Sequence, residues 1–257
     1  MPSIVIPSRN NFQPPTRVGI DWTNPLTRGL VFCINYGEST LYPRDLVGGR
    51  APVDISAPTS VVTAATPFGV ARSSFWNNAG SVGSQYYPRD AQLEPAYATW
   101  GFYGHPDSSF QAGYARPFGK TYNNGASPYL SYDLEFNPGG AGVNTFNVNC
   151  YASGTWFAAG NHTFDATQPA LFAGTYDGTT LRQWFNGVQY ATGTHSGVLN
   201  YDTSSTGQLI VSGSSSASRV NSFQGHIYLI AIWNRALSAG EMVAWALNPY
   251  QILRPIQ

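Results

Sequence analysis

The sequence predicts an all-β antiparallel sandwich with one short C-terminal helix and an extended N-terminal arm. Three observations carry that expectation. Turn formers are abundant, with 27 Gly and 18 Pro in 257 residues, and they separate short β-rich runs every ~8–12 residues, the spacing of sandwich strands. In QPALFAGTYDGTTLRQWFNGVQY, Asp177-Gly178 and Asn186-Gly187 separate three β-rich runs, Leu171 to Tyr176, Leu181 to Phe185 and Val188 to Tyr190. Asp-Gly and Asn-Gly supply the positive φ angles of two-residue hairpin turns, so three consecutive antiparallel strands are expected. The run Gly225 to Trp233, GHIYLIAIW, is apolar at both parities, as a strand covered on both faces is.

The elements follow in order. Residues 1–26 have no core of their own. Pro2, Pro7, Pro14 and Pro15 break helices and discourage ladder pairing, yet Phe12, Ile20 and Trp22 are apolar. Two readings stay open: a strap on the same domain, or an assembly arm that reaches a neighbouring subunit through Phe12, Ile20 and Trp22. Residues 27–257 form a single domain without internal repeats. Leu30 to Tyr36 is its first core strand. Short strands and turns fill Leu41 to Gly80, and residues 81 to 94 read as a surface loop. Strands are expected at Tyr97 to Tyr103, Ala115 to Lys120, Tyr129 to Phe136 and Val143 to Tyr151. Gln208 to Ser212 is a further strand, within a segment 201–221 that holds a Ser-rich loop. Ser238 caps a helix running to Ala246, with Glu241 at the capping-box position. Pro249 stops the helix, and Tyr250, Ile252 and Leu253 can fold back over the sandwich.

Only 10% of residues are charged and the net charge is zero, against about 25% charged in ordinary domains. A nucleic-acid partner, which needs a basic stripe, is therefore not expected. Either much of the surface is buried in an assembly, or it is polar without charge. Cys33 and Cys150 lie in strand-like runs and are compatible with a disulfide or with two buried thiols. No run approaches the ~20 apolar residues of a membrane span, and the N-terminus lacks the apolar stretch of a signal peptide. The expectation is a chain made in a cytoplasm, with no membrane partner.

Chemistry-bearing motifs are sparse. His105, His162, His195 and His226 have no zinc spacing, and His226 sits on a core strand. No cofactor is expected, except that Asp165 and Asp202 leave open a single calcium at a loop rim. Aromatic rings beside Asn and Asp suit sugars, which stack on rings and hydrogen-bond at their edges. Tyr86, Tyr87, Tyr122, Tyr151 and Trp156 are the candidate glycan-binding residues; such rings also serve protein interfaces.

The C-terminal third also carries a resemblance. Gly174, Tyr176, Asp177, Gly178, Leu181, Phe185, Asn186 and Gly187 form one part of it. Phe223, Gly225, Ile227, Ile232, Trp233, Asn234, Arg235, Leu237, Ser238 and Glu241 form the other. Together they resemble the concanavalin A-like jelly roll of the laminin-G and pentraxin type. The resemblance implies a jelly-roll sandwich with Trp100 buried on a central strand. Asn24-Pro25 before Gly29-Leu30-Val31, and the ending Asn248-Pro249-Tyr250-Gln251, are similar to such modules in tailed-bacteriophage proteins. That implies a non-enzymatic structural or decoration protein of a virion, made in the host cytoplasm, whose partners are other capsid or tail proteins and further copies of itself. The alternative is a carbohydrate-binding module that recognises host surface glycans. Glucanases of this superfamily carry three carboxylates on one strand; Asp133-Leu134-Glu135 offers two, which a solvated strand face explains.

Overall fold

The computed structural model describes residues 13–14, 17–38, 42–54, 61–74, 84–107, 114–122, 130–136, 144–165, 168–204, 207–213 and 223–256. Along the chain the strands are β1 (Val18–Ile20), β2 (Leu30–Asn35), β3 (Val53–Asp54), β4 (Val61–Thr66), β5 (Gly69–Ser74), β6 (Gln85–Tyr87), β7 (Ala98–Pro106), β8 (Phe118–Thr121) and β9 (Leu130–Phe136). There follow β10 (Thr145–Ala152), β11 (Thr155–Ala158), β12 (His162–Thr163), β13 (Ala170–Tyr176), β14 (Thr180–Phe185), β15 (Val188–Thr194), β16 (Leu209–Val211) and β17 (Gly225–Trp233). Helix α1 (Ala239–Leu247) and β18 (Leu253–Pro255) close the chain.

Two antiparallel sheets face each other as a jelly-roll sandwich. The first runs β15-β14-β13-β7-β17-β5-β4, with β2 also on β17. The second runs β11-β10-β9-β8-β16-β6-β3, with β12 on β10. Between them lies an aromatic core that includes Trp100, Phe102, Tyr132, Phe136, Phe146 and Phe172. A second apolar layer covers the outer face of the first sheet, where α1 places Trp245 at 4.6 Å from Trp233. Strand β17 feeds both layers, with Ile230 and Ile232 inward and Leu229, Ala231 and Trp233 outward. Its unbroken apolar run follows from that double burial.

Local chemistry fixes the hairpins. Asn186 and Gly187 both have positive φ, +48° and +78°, as a two-residue turn between β14 and β15 requires. The Asp177-Gly178 turn differs from expectation. It is a three-residue loop in which Gly178 alone has positive φ. The Asp177 carboxylate accepts from the backbone N–H of Thr179 and Thr180 at 2.9 and 2.8 Å, which satisfies the loop without a second left-handed residue. Ser238 and Glu241 form the expected reciprocal capping box. Tyr250, Ile252 and Leu253 return to the core and are buried.

The described part of the N-terminal segment belongs to the sandwich. β1 pairs with β18, Ile20 opposite Leu253, and Ile20 is 4% exposed within the outer apolar layer. Gln13 accepts from Val70 N–H at 2.5 Å and donates to Val70 C=O at 2.7 Å. Ile20 is thus a strap residue held by its own domain and is not free to join an assembly. Trp22 remains 58% exposed; Phe12 lies outside the described residues.

One further expectation needs correction, and the choice left open for the cysteines falls to two buried thiols. Residues 85–87, read as loop, form β6, because Tyr87 fills a core position beside Phe32. Cys33 and Cys150 are both free and buried. They sit in different layers, Cys33 in the outer one and Cys150 between the sheets, so no disulfide joins them.

Candidate functional site

The outer face of the second sheet is the polar face of the molecule. Alternation along β9 turns Tyr132 and Leu134 inward and Ser131, Asp133 and Glu135 outward. On β10, Val148 and Cys150 turn inward and Asn147, Asn149 and Tyr151 outward, each outward residue next to its β9 counterpart. The expectation of a solvated face fails here, since Asp133 is 0% and Glu135 6% exposed. Arg116 joins them: its Nε donates to Asp133 and its Nη2 to Glu135, both at 2.5 Å. Asn149 donates to the other Asp133 oxygen at 2.9 Å, and Asn147 donates to Asn149 at 3.2 Å.

One guanidinium faces two carboxylates, so full ionisation of both would leave this buried row with a negative excess. Burial and the neighbouring Asp133 charge push Glu135 up to about 7, against the pull of Arg116. Burial likewise raises Asp133, against Arg116 and Asn149.

At the β11 edge this row ends in aromatic rings. Tyr151 and Trp156 are direct cross-strand partners and so project from the same face. The Tyr122 ring reaches Tyr151 from the end of β8, with centroids 4.6 Å apart at 70°. Between them in the sheet, Ser131 is fully buried, and its hydroxyl has no hydrogen-bond partner among the described residues. Trp156 is 37% exposed, and Tyr122 and Tyr151 are half-buried. Neighbouring loop groups fasten this corner. Asn200 N–H donates to Tyr151 C=O at 2.8 Å, and the Asn200 side chain accepts from Gly154 N–H at 2.9 Å.

Three of the five candidate rings therefore meet. Tyr87 does not take part: it is fully buried, its hydroxyl donates to Pro43 C=O at 2.6 Å, and it belongs to the core. Tyr86 faces outward opposite Ile210 but four strands from β10, roughly 19 Å away at ~4.8 Å per strand. Arg116, Asn147, Asn149 and Asn200 were not singled out from sequence; the alternation of Asn147 and Asn149 along β10 was the available signal. Among the described residues no three His, Cys, Asp or Glu side chains come together to hold a metal, and Asp165 and Asp202 form no such group. A separate cleft of about 430 Å³, lined by Leu30, Val31, Val47, Ala91, Gln92, Pro95 and Asn234, has no aromatic ring among its walls.

A laminin-G-type family model of the concanavalin A-like lectin/glucanases superfamily matches residues 79–242, well over half the chain. The chain belongs to this superfamily. Comparison with curated protein sequences gives no match. Among solved structures, this lectin-like sandwich is similar to domain 4 of AbnA, an extracellular arabinanase from Geobacillus stearothermophilus, in complex with arabinotriose. That likeness has a TM-score of 0.60 at 16% identity, over 84% of this chain and 98% of that one. The binding domain of Paraclostridial Mosquitocidal Protein 1 matches with a TM-score of 0.62 at 13% identity, over 88% of this chain and 53% of that one. A Trypanosoma rangeli sialidase in complex with sialic acid matches at 0.60 and 13%, over 88% and 34%. This chain thus spans about half of the mosquitocidal fragment and a third of the sialidase, and at such identities the likeness is one of fold.

Proposed function

We propose that this concanavalin A-like domain is a non-catalytic carbohydrate-binding module whose binding edge is Tyr122, Tyr151 and Trp156. The observation that carries the reading is the convergence of these rings beside Asn200. Rings take the apolar faces of a sugar, and amide and backbone groups take its hydroxyls. The arabinotriose-bound arabinanase domain of similar fold supports a sugar as ligand. A binding role fits Asp133 and Glu135 better than hydrolysis does, because one buried guanidinium holds both carboxylates, away from a substrate. Tyr151→Ala and Trp156→Ala are each expected to weaken binding of an array-identified oligosaccharide by about tenfold or more, measured by calorimetry, with unchanged circular dichroism. Unaltered affinity in both variants would refute the reading.

A second reading, a capsid- or tail-associated structural protein of a bacteriophage virion, is supported by the 10% charge and by the exposed Trp22. The two are compatible, since a virion module can also touch host glycans. Light scattering after size exclusion is expected to show a homo-oligomer that Trp22→Ala weakens. A monomer at all concentrations would count against it. Truncation tests of the arm belong to residues 1–12, since removing β1 would strip a strand from the fold.

A further inference from the structure

We infer that Tyr122 and Tyr151 part to form a slot for one pyranose ring, and that the buried Ser131 hydroxyl at its floor bonds a hydroxyl of an all-equatorial sugar. The inference rests on the carbohydrate-binding reading and adds a sugar class and a further binding residue to it. Tyr122 directly follows β8 and Tyr151 lies on β10, so β9 runs between them. Strands two places apart in a sheet are separated by roughly 9.6 Å. Ring centroids 4.6 Å apart at 70° therefore belong to side chains that lean towards each other across β9. The register, with Cys150 opposite Tyr132, puts Ser131 beside Tyr151, beneath that contact.

Ser131 is 0% exposed, and its hydroxyl has no hydrogen-bond partner among the described residues. Burying a hydroxyl unpaired is costly, and alanine would occupy the same place without that cost. Further along the same face the polar side chains are paired: Asp133 with Arg116 and Asn149, Glu135 with Arg116, Asn147 with Asn149. The orphan group thus lies at the aromatic corner, where the hydroxyl of a ligand can pair it. Rings standing upright on β8 and β10 would face each other across the roughly 9.6 Å of two strand spacings. Two stacking contacts of ~3.5–4.0 Å fill that gap with one saturated ring between them. A pyranose entering edge-on gives one face to each tyrosine and turns an edge hydroxyl down to Ser131. Both of its faces must then be apolar. Equatorial hydroxyls lie around the edge and leave C–H groups on both faces, as in glucose. An axial hydroxyl, as in galactose or mannose, would be pressed unpaired against a ring.

Matched trisaccharides test this: cellotriose, and the galactose and mannose trisaccharides of the same linkage, each titrated by calorimetry into wild type, Ser131→Ala and Tyr151→Ala. The expected result is cellotriose binding that Tyr151→Ala abolishes, with both epimers weaker by about tenfold or more. Ser131→Ala should weaken cellotriose by about tenfold, while its melting temperature stays level or rises because an unpaired buried hydroxyl is gone. A lower melting temperature with unchanged cellotriose affinity would make the serine structural and overturn its role in binding. Equal binding of the three sugars, still abolished by Tyr151→Ala, would overturn the slot and leave the aromatic edge standing, as would binding confined to other sugars of a glycan array. Binding of none of the three, nor of any sugar on the array, would overturn both readings.

Discussion

Replacing Arg116 with methionine is expected to destabilise the domain by about 3–5 kcal/mol at neutral pH, because it leaves two buried carboxylates without a counter-charge. For a chain of this size that corresponds to a fall of roughly 10 °C in melting temperature. The loss should depend on pH. Near pH 5 Glu135, pushed up to about 7 by burial and the Asp133 charge, takes up a proton and sheds its unpaired charge, and Asp133, also raised by burial, follows on further acidification, so the penalty shrinks. The triple variant Arg116→Met, Asp133→Asn, Glu135→Gln should recover most of the stability at all pH values. A loss from Arg116→Met that is identical at pH 5 and pH 8 would mean the arginine contributes packing alone.

The wild type should show the same coupling with its sign determined by two opposed groups. Glu135 is raised on folding from 4.5 to about 7, so folding favours its protonated form. Its contribution is full below about pH 4.5 and is lost as pH rises to about 7, on the order of 2–3 kcal/mol. Glu241 moves the other way, held down to about 2 chiefly by the bond from Arg235. Its contribution is present above 4.5 and is lost as pH falls towards 2. Stability should therefore peak near pH 5, and Glu135→Gln should remove the decline between 5 and 7 while leaving the acid limb in place.

The contrast between these groups tracks what the sequence could reveal. Glu241 was legible because its partners are local: Ser238 is three residues away and Arg235 six. The Asn186-Gly187 turn, the doubly apolar β17 and the returning C-terminal residues were legible for the same reason, since each pattern is complete within its own segment. Asp133 and Glu135 were placed correctly on one face of a strand, but whether that face meets water depends on partners elsewhere in the fold. Arg116 comes from the segment just before β8, and nothing near it in sequence announces the pairing. β6 was missed because three residues before Pro88 are too few for a period, and its pairing to β16 and β3 is long-range. Tyr122 and Tyr151 are glycan-binding candidates by residue type; only the order β8-β9-β10 makes them one corner.

Gly174 carries the other large expected effect, and it shows why a residue of the family pattern matters physically. It lies at the centre of β13, opposite Trp100 on β7, with φ outside the left-handed region. Backbone freedom therefore does not explain a glycine here, and in a strand interior glycine is entropically costly, by about 0.5–1 kcal/mol relative to alanine. Space does explain it. A Cβ at this position would collide with Val148 Cγ1 from the second sheet and stand 2.8 Å from the Trp100 ring. The ring cannot retreat without breaking the bond from its Nε1 to Asp133 C=O at 3.0 Å. The sheets approach each other at this point because Gly174 has no side chain, and the Trp100 indole fills the adjoining space. Gly174→Ala should therefore cost about 1–3 kcal/mol despite alanine's better strand propensity. Val148→Ala alone should also cost about 2 kcal/mol by opening a cavity. Combined, the two should cost clearly less than their sum, because the new methyl occupies the space the valine vacates, and denaturant unfolding of the three variants reads that coupling directly. Additive losses would show that the obstacle is the Trp100 ring alone, and a more stable Gly174→Ala would show that the sheets can separate here at no cost.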